Sequence, residues 1–337
     1  MKLVRFLLFP LAVLYDLITT IRNILFDVSV LKSTSFKIPI IVVGNLSVGG
    51  TGKTPQIEYL IRLLKEHHKV AVLSRGYKRK TKGFILLNES HTAMDVGDEP
   101  LQYFKKFSNI DVAVNENRVE GINNLIVQKS PKVVLLDDAF QHRKVKGSFY
   151  ILLTKYDDLF TADFLLPTGN LRESRKGAKR ADVIVVTKCP TEINTIEKDF
   201  IKSKLKKFNK KVFFTTISYA DKISGDKEIS LEDLKEFEVL LLTGIANPDP
   251  LLKFLSFQNI QYRHVKYGDH HHFSSKDVAD IQQTFTNLAS DKKLILTTEK
   301  DYTRLKNRLE ELFYLEIETQ FLENKNIFDT IIKSQIQ

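Results

Sequence analysis

Cysteine is nearly missing: Cys189, in "TKCP", is the single thiol among 337 residues. One cysteine excludes an intrachain disulfide framework and fits a reducing compartment, with the thiol expected as a small packed residue rather than a nucleophile. Repeats and low-complexity tracts are absent too. At 43% hydrophobic and 27% charged residues the composition is that of a folded chain, which excludes wholesale disorder. The length suggests about two domains, with ample chain for a sizeable core. A long apolar run is also lacking. Phe6 to Tyr15 falls short of the roughly 20 residues that span a bilayer, and no small-residue cleavage site follows, as a cleaved signal peptide would require.

What the chain does carry is positive charge, +10 in all, clustered in "RGYKRKTK" (75–82) and "RESRKGAKR" (172–180). Such an excess favours anionic partners: phosphorylated substrates, anionic membrane or nucleic acid. The opening segment adds a second hint. From Leu11 onward Leu14, Leu17, Ile18, Ile21, Ile24 and Leu25 recur at helical spacing, with Asp16, Arg22 and Asn23 elsewhere. That pattern predicts a helix lying in a membrane interface rather than spanning it; the alternative is a buried first helix.

Short apolar runs then alternate with helical patterns: 38–43, 69–74, 110–114, 132–137, 149–154, 182–187 and 212–217. Continuous β-branched runs of this kind are strands buried on both faces of a parallel sheet. Between the first two lies Thr54–His67, apolar at Ile57, Leu60, Ile61 and Leu64 and opened by Pro55. Strand, loop, helix, strand is a βαβ unit, and the class is α/β, doubly wound. After the polar stretch "ADKISGDKEIS" the pattern restarts, with strands near 238–244, 262–268, 293–298 and 312–318 and helices near 249–257 and 275–288. A second, smaller α/β domain is expected there, with a cleft between the two.

The chemistry is concentrated in a few stretches. "VGNLSVGGTGKTP" (43–55) ends as a phosphate-binding loop ends. Gly49, Gly50 and Gly52 let backbone amides approach an anion at a helix N-terminus. Ser47, Val48 and Thr51 complete the loop, Lys53 can reach β- and γ-phosphates, and the Thr54 hydroxyl can bind Mg²⁺. Ser47 stands where the regular pattern has glycine, which is tolerable at negative φ. "VVLLDDAFQH" (133–142) sets Asp137 and Asp138 at the end of a buried strand, where twin carboxylates are costly unless a cation or hydrogen-bond donors satisfy them, though a helix cap could account for one. His142 can reach the same pocket. A base for an acceptor hydroxyl would come from Asp98 and Glu99 in "VGDEP" or from "GDHHHFS", where Asp269 precedes His270, His271 and His272.

In order, "GNLSVGGTGKTP", "LSRGYKRK", "GDEP", "LDDAFQHRK", "LLPTGNLRES", "DHHHFS" and "TTEKD" resemble the tetraacyldisaccharide 4′-kinases, the lipid A 4′-kinase family. The resemblance implies a P-loop kinase domain (31–220), a smaller α/β domain closing the active-site cleft (221–337) and a membrane-associated helix (1–30). It implies ATP and Mg²⁺ as cofactors and transfer of the γ-phosphate to the 4′-hydroxyl of a tetraacylated glucosamine disaccharide 1-phosphate, giving lipid IVA. The place implied is the cytoplasmic face of the inner membrane of a Gram-negative bacterium. Carried over by position, Asp98 is the base, His270 pairs with it and Lys53 is the phosphate-loop lysine. Thr54, Asp137 and Asp138 surround the metal. His142, Arg75 and Arg172 are expected on the substrate. Ala139 departs from a glycine in the family pattern, and His271 and His272 leave open which imidazole meets Asp98.

Two other classes share parts of this pattern. A partitioning-type ATPase carries a signature lysine before its glycine pair, where this chain has Val48. A nucleotide-regulated nucleic-acid binder would interleave aromatics with its basic clusters, and only Tyr77 does so. No nucleic-acid partner is expected.

Overall fold

The structure, a computed structural model, describes residues 5–336. Thirteen strands form one sheet. They are β1 (Ile40–Asn45), β2 (Val70–Ser74), β3 (Ile85–Leu86), β4 (Asp111–Val114), β5 (Val133–Asp137), β6 (Phe149–Lys155), β7 (Val183–Thr187), β8 (Lys211–Ser224), β9 (Glu228–Ser230), β10 (Glu238–Thr243), β11 (Tyr262–Lys266), β12 (Lys293–Thr298) and β13 (Leu312–Phe321). The order is β11-β10-β12-β13-β8-β7-β6-β1-β5-β2-β4-β3, with β9 beside β8. Pairing is parallel except at β3–β4, β8–β9 and β8–β13. The doubly wound, mainly parallel class follows from side-chain alternation. Ile41 and Val43 of β1 enter one core layer while Ile40 and Val42 enter the layer on the opposite face. Both faces are therefore covered, and β1, β2, β5 and β7 are buried at every position.

The chain does not divide cleanly at residue 220. β8 runs through it, parallel to β7 at Lys211–Phe214 and antiparallel to β13 from Thr215 to Ser224. Past β13, helix Lys325–Lys333 packs Phe328 and Ile332 into the core that holds Ile57 and Val43. The last residues thus belong to the layer over the first half of the sheet.

Helix Phe9–Asp27 is not a core helix, which removes the buried alternative. Ala12 and Thr19 are its buried residues, while Leu11, Val13, Leu14, Leu17, Ile18, Ile21 and Ile24 lie exposed. It passes through Asp16 and Arg22 to reach 19 residues, long and apolar enough by composition to cross a membrane. Its polar side chains face the protein. Tyr15 donates to the Arg172 carbonyl at 2.8 Å, Arg22 to the Gln141 carbonyl at 3.4 Å and Asn23 to Glu173 at 3.1 Å. The helix is therefore amphipathic in the inverted sense.

Candidate active site

All the strands from β2 through β7, β3 aside, end on one edge, and the loop after β1 sits at its middle, where connections depart in both directions. Gly49 (φ 104°) and Gly52 (φ 83°) take left-handed backbone, and Gly52 immediately precedes helix Lys53–Leu64. Ser47 is not among the positive-φ residues, which is why a side chain is accepted there. Instead it bridges to Leu171, and Val48 donates its amide to the Asn170 carbonyl at 2.8 Å. Asn45 donates to the Thr51 hydroxyl at 2.7 Å, and the Thr187 hydroxyl holds the Thr51 carbonyl at 2.8 Å. A loop braced on three sides with amides free at a helix start is a cradle for phosphate.

The twin aspartates stand next to it with different fates. Asp137 is fully buried, and its hydrogen-bond partner is the Ser74 hydroxyl at 3.3 Å. Burial, with Asp138 beside it, pushes its pKa up to about 7. Asp138, at φ 47°, accepts from Arg172 at 2.9 and 3.0 Å and lies 3.6 Å from Lys53. Burial opposes its ionisation, but Lys53 and Arg172 outweigh this and hold its pKa low. Arg172, expected on the substrate, is thus engaged with a carboxylate expected on the metal.

His142 keeps a buried Nε2 without a partner among the described residues, and burial followed by Arg118, Lys144 and Arg75 lowers its pKa to about 4. It is a neutral imidazole at physiological pH. Arg75 is exposed. Arg118, missed by the sequence reading, is buried and donates to the Asn115 carbonyl at 2.9 Å. Burial pulls its guanidinium down to about 10 despite the attraction of Asp137.

Asp98 opens helix Asp98–Lys106, where an anion suits the helix dipole. Gly97 before it has φ 91°, and a Cβ there would sit 3.1 Å from the Tyr77 carbonyl, so the turn needs glycine. His270 Nδ1 meets Asp98 Oδ2 at 2.9 Å, and Lys300 approaches His270 Nε2 at 2.9 Å. Arg304 binds Asp98 through both Nε, at 2.7 Å from Oδ1, and NH2. Burial works against the Asp98 carboxylate, yet His270 and Arg304 hold it far below the usual aspartate range. Of the adjacent imidazoles it is His270 that meets Asp98, while His271 turns away to Asp277 at 3.1 Å. Neighbouring Glu99 adds to the upward push on Asp137, and the turn at Gly97 packs against Gly76, two residues past the Ser74 that donates to Asp137, so the Asp98 turn and the twin aspartates are joined through the end of β2.

A buried ion cluster ties these parts together behind the pocket. Lys106 lies 2.9 Å from Glu58, 2.8 Å from Glu299 and 3.4 Å from Glu316, and Gln102 donates to Glu58 at 2.8 Å. Glu58 is on the phosphate-loop helix, Lys106 on the Asp98 helix and Glu299 on the helix of Lys300 and Arg304. Burial raises the pKa of both Glu58 and Glu299, the latter to about 8. Cys189 is buried with its thiol pushed up to about 12 by burial, the packed residue expected.

A loop for phosphates, carboxylates at a strand end and a fixed aspartate across the pocket is an arrangement for phosphoryl transfer. The family model described as Tetraacyldisaccharide-1-P 4'-kinase (LpxK) matches residues 4–337. The chain belongs to this family. A tetraacyldisaccharide 4′-kinase of Flavobacterium psychrophilum is 53% identical, covering 100% of this chain and 98% of its own length. One from Bacteroides thetaiotaomicron is 44% identical, covering 94% of this chain and 89% of its own. The crystal structure of LpxK from Aquifex aeolicus in complex with ATP is 32% identical, with a TM-score of 0.82 over 99% of this chain and 100% of that one. As a tetraacyldisaccharide 4′-kinase family member the chain is a kinase with the P-loop α/β fold, and the partitioning-ATPase and nucleic-acid readings fall away.

Proposed function

We propose that this kinase transfers the γ-phosphoryl group of ATP to the 4′-hydroxyl of a tetraacylated glucosamine disaccharide 1-phosphate, at the cytoplasmic face of a Gram-negative inner membrane. The observation that carries the proposal is Asp98, buried, ionised and fixed by His270 and Arg304 on a helix start beside the twin aspartates. Loop amides and Lys53 hold the β- and γ-phosphates. Asp98 accepts the acceptor proton as the new O–P bond forms and the bond from the γ-phosphorus to the bridging oxygen breaks, releasing ADP. His270 and Arg304 orient Asp98. An aspartate this acidic is a weak base, which suits a loose transition state in which the hydroxyl sheds its proton late. Arg75, His142 and Arg172 would meet the acceptor sugar and its phosphate. The second unit, from 221 onward, supplies His270, Lys300 and Arg304 as the cover of the cleft.

Thr54, Asp137 and Asp138 fit a divalent ion. They offer hard oxygens, and Asp137 is a buried carboxylate that burial and Asp138 push up, which a bound cation would offset. Thr54, Asp137 and Asp138 are the residues that would hold Mg²⁺. Bound there, it would neutralise charge on the β- and γ-phosphates. The sign of the pH effect follows. A carboxyl raised in the folded state gives stability that is complete below its unfolded pKa and is lost as pH rises through about 7. With an ordinary value of 3.8, metal-free protein should lose roughly 4 kcal/mol across that window. Thermal melts from pH 4 to 8.5 should show that loss in wild type, a flatter curve in Asp137→Asn, and recovery with Mg²⁺ and ADP. Equal slopes in the two proteins would remove Asp137 from this role.

Labelled ATP, Mg²⁺ and the disaccharide 1-phosphate in vesicles test the reaction and its location together. Label should appear in the lipid, and the protein should sediment with the vesicles through helix Phe9–Asp27. That helix is docked along its length by Tyr15, Arg22 and Asn23, which favours lying on the bilayer over crossing it. Hydrolysis of ATP with unlabelled lipid would overturn the proposal.

A further inference from the structure

The Lys188 ammonium has no carboxylate within 4.0 Å and no hydrogen-bond partner among the described residues, although it stands at the phosphate loop. It comes within 3.8 Å of the position a Cβ would take on Gly50. The residue follows β7 directly and takes left-handed backbone at φ 57°. Its neighbour Thr187 braces the loop through the Thr51 carbonyl at 2.8 Å. Nearby Lys155, by contrast, is paired with Asp158 at 3.2 Å, and Lys53 with Asp138 at 3.6 Å. Lys188 is exposed. Partial desolvation, with Lys155 and Lys53 adding like charge and Asp157 opposing them, lowers its pKa. A lysine that stands at the loop without an ion-pair or hydrogen-bond partner among the described residues is free to meet an anion held there.

The sheet order says which part of an anion it meets. β1 is flanked by β5, carrying Asp137 and Asp138, on one side and by β6 and then β7 on the other. Asp98, His270 and Arg304 also lie toward the β5 and β2 side, because the turn at Gly97 packs against Gly76 after β2. The reacting phosphate therefore sits toward β5. A nucleotide held by the same loop has to trail the opposite way, over β6 and β7, where Lys188 stands.

We propose that Lys188 binds the nucleoside-proximal phosphates of ATP, dividing the triphosphate with Lys53, which takes the terminal ones. The assignment rests on the ATP site proposed above. It places a second binding cation in "TKCP", a stretch otherwise notable for its cysteine. ADP retains the phosphates that Lys188 meets, so Lys188 should act on ATP and ADP alike.

Direct nucleotide binding, by titration calorimetry with ATP and with ADP, separates the possibilities without requiring turnover. Lys188→Met should weaken both nucleotides by a similar factor, about tenfold to a hundredfold for a lost charge-assisted contact. Lys188→Arg should recover most of that loss. In lipid phosphorylation the KM for ATP should rise in Lys188→Met while kcat and the KM for lipid stay within about threefold, as expected for lost uniform binding. The melting temperature should not fall, since the replaced ammonium has no partner in the empty protein. Nucleotide affinities within about twofold of wild type, or a loss confined to ATP, would overturn the assignment while leaving the ATP site intact. A wild-type protein that binds neither nucleotide would overturn the site itself and this assignment with it.

Discussion

Asp98→Asn is expected to lower kcat by about 10²–10⁴ while leaving the dissociation constant for ATP within about twofold. The amide keeps the size of the carboxylate but cannot take up the acceptor's proton. Its neighbours explain why binding should survive. Asp98 bonds His270 and Arg304 rather than any residue of the glycine loop. Arg304 retains the His271 carbonyl at 3.0 Å and Asp301 at 3.5 Å, so the variant should not strand it. Stopped-time assays with saturating lipid, together with ATP titration of the same preparation, measure both quantities. A variant that binds ATP more than about tenfold weaker yet turns over normally would move Asp98 to the nucleotide site.

Lys106→Met should cost about 3–5 kcal/mol of unfolding free energy near pH 8, because it leaves buried carboxylates without their cation. Glu58 and Glu299 are both buried and both meet Lys106 within 2.9 Å. Without it their carboxyl groups are pushed further up by burial. Stability is then retained at low pH and lost as pH rises past the raised values, so the deficit should shrink at pH 5.5. Urea melts at the two pH values check the sign. Lys106→Met combined with Glu299→Gln should recover part of the loss, since one uncompensated charge has been removed. A deficit independent of pH would mean that the lysine acts through packing of its stem.

These two residues differ in how visible they are in the sequence. "VGDEP" shows its importance locally, because a glycine turn, a helix start and an acidic pair are three signals in five residues. Lys106 offers none. It sits in "FKKF" at the end of an amphipathic helix, where lysines ordinarily face water. Only the closing of helix Glu299–Leu305 over that helix buries it. Arg304 was hidden for the same reason, although its spacing of four from Lys300 puts both on one helix face. The strands were legible because runs buried on both faces need no partner to be recognised. The shared strand β8 was not, because its continuous apolar run ends at 217 while the mixed, half-buried stretch beyond it still pairs with β13. The inverted helix was legible in its apolar spacing, but which face turned outward depended on the surface that receives Tyr15 and Asn23.

Helix Phe9–Asp27 reaches the reaction centre in two bonds. Tyr15 holds the main chain of Arg172, and the Arg172 guanidinium holds Asp138. For an enzyme resting on a bilayer through that helix, this fixes the height of the catalytic groups above the acyl plane. A sugar hydroxyl would be chosen partly by how far it stands from the membrane, much as a caliper passes only one thickness. Turnover would then follow the surface density of lipid, not its bulk concentration, so dilution with inert lipid at constant substrate would slow it.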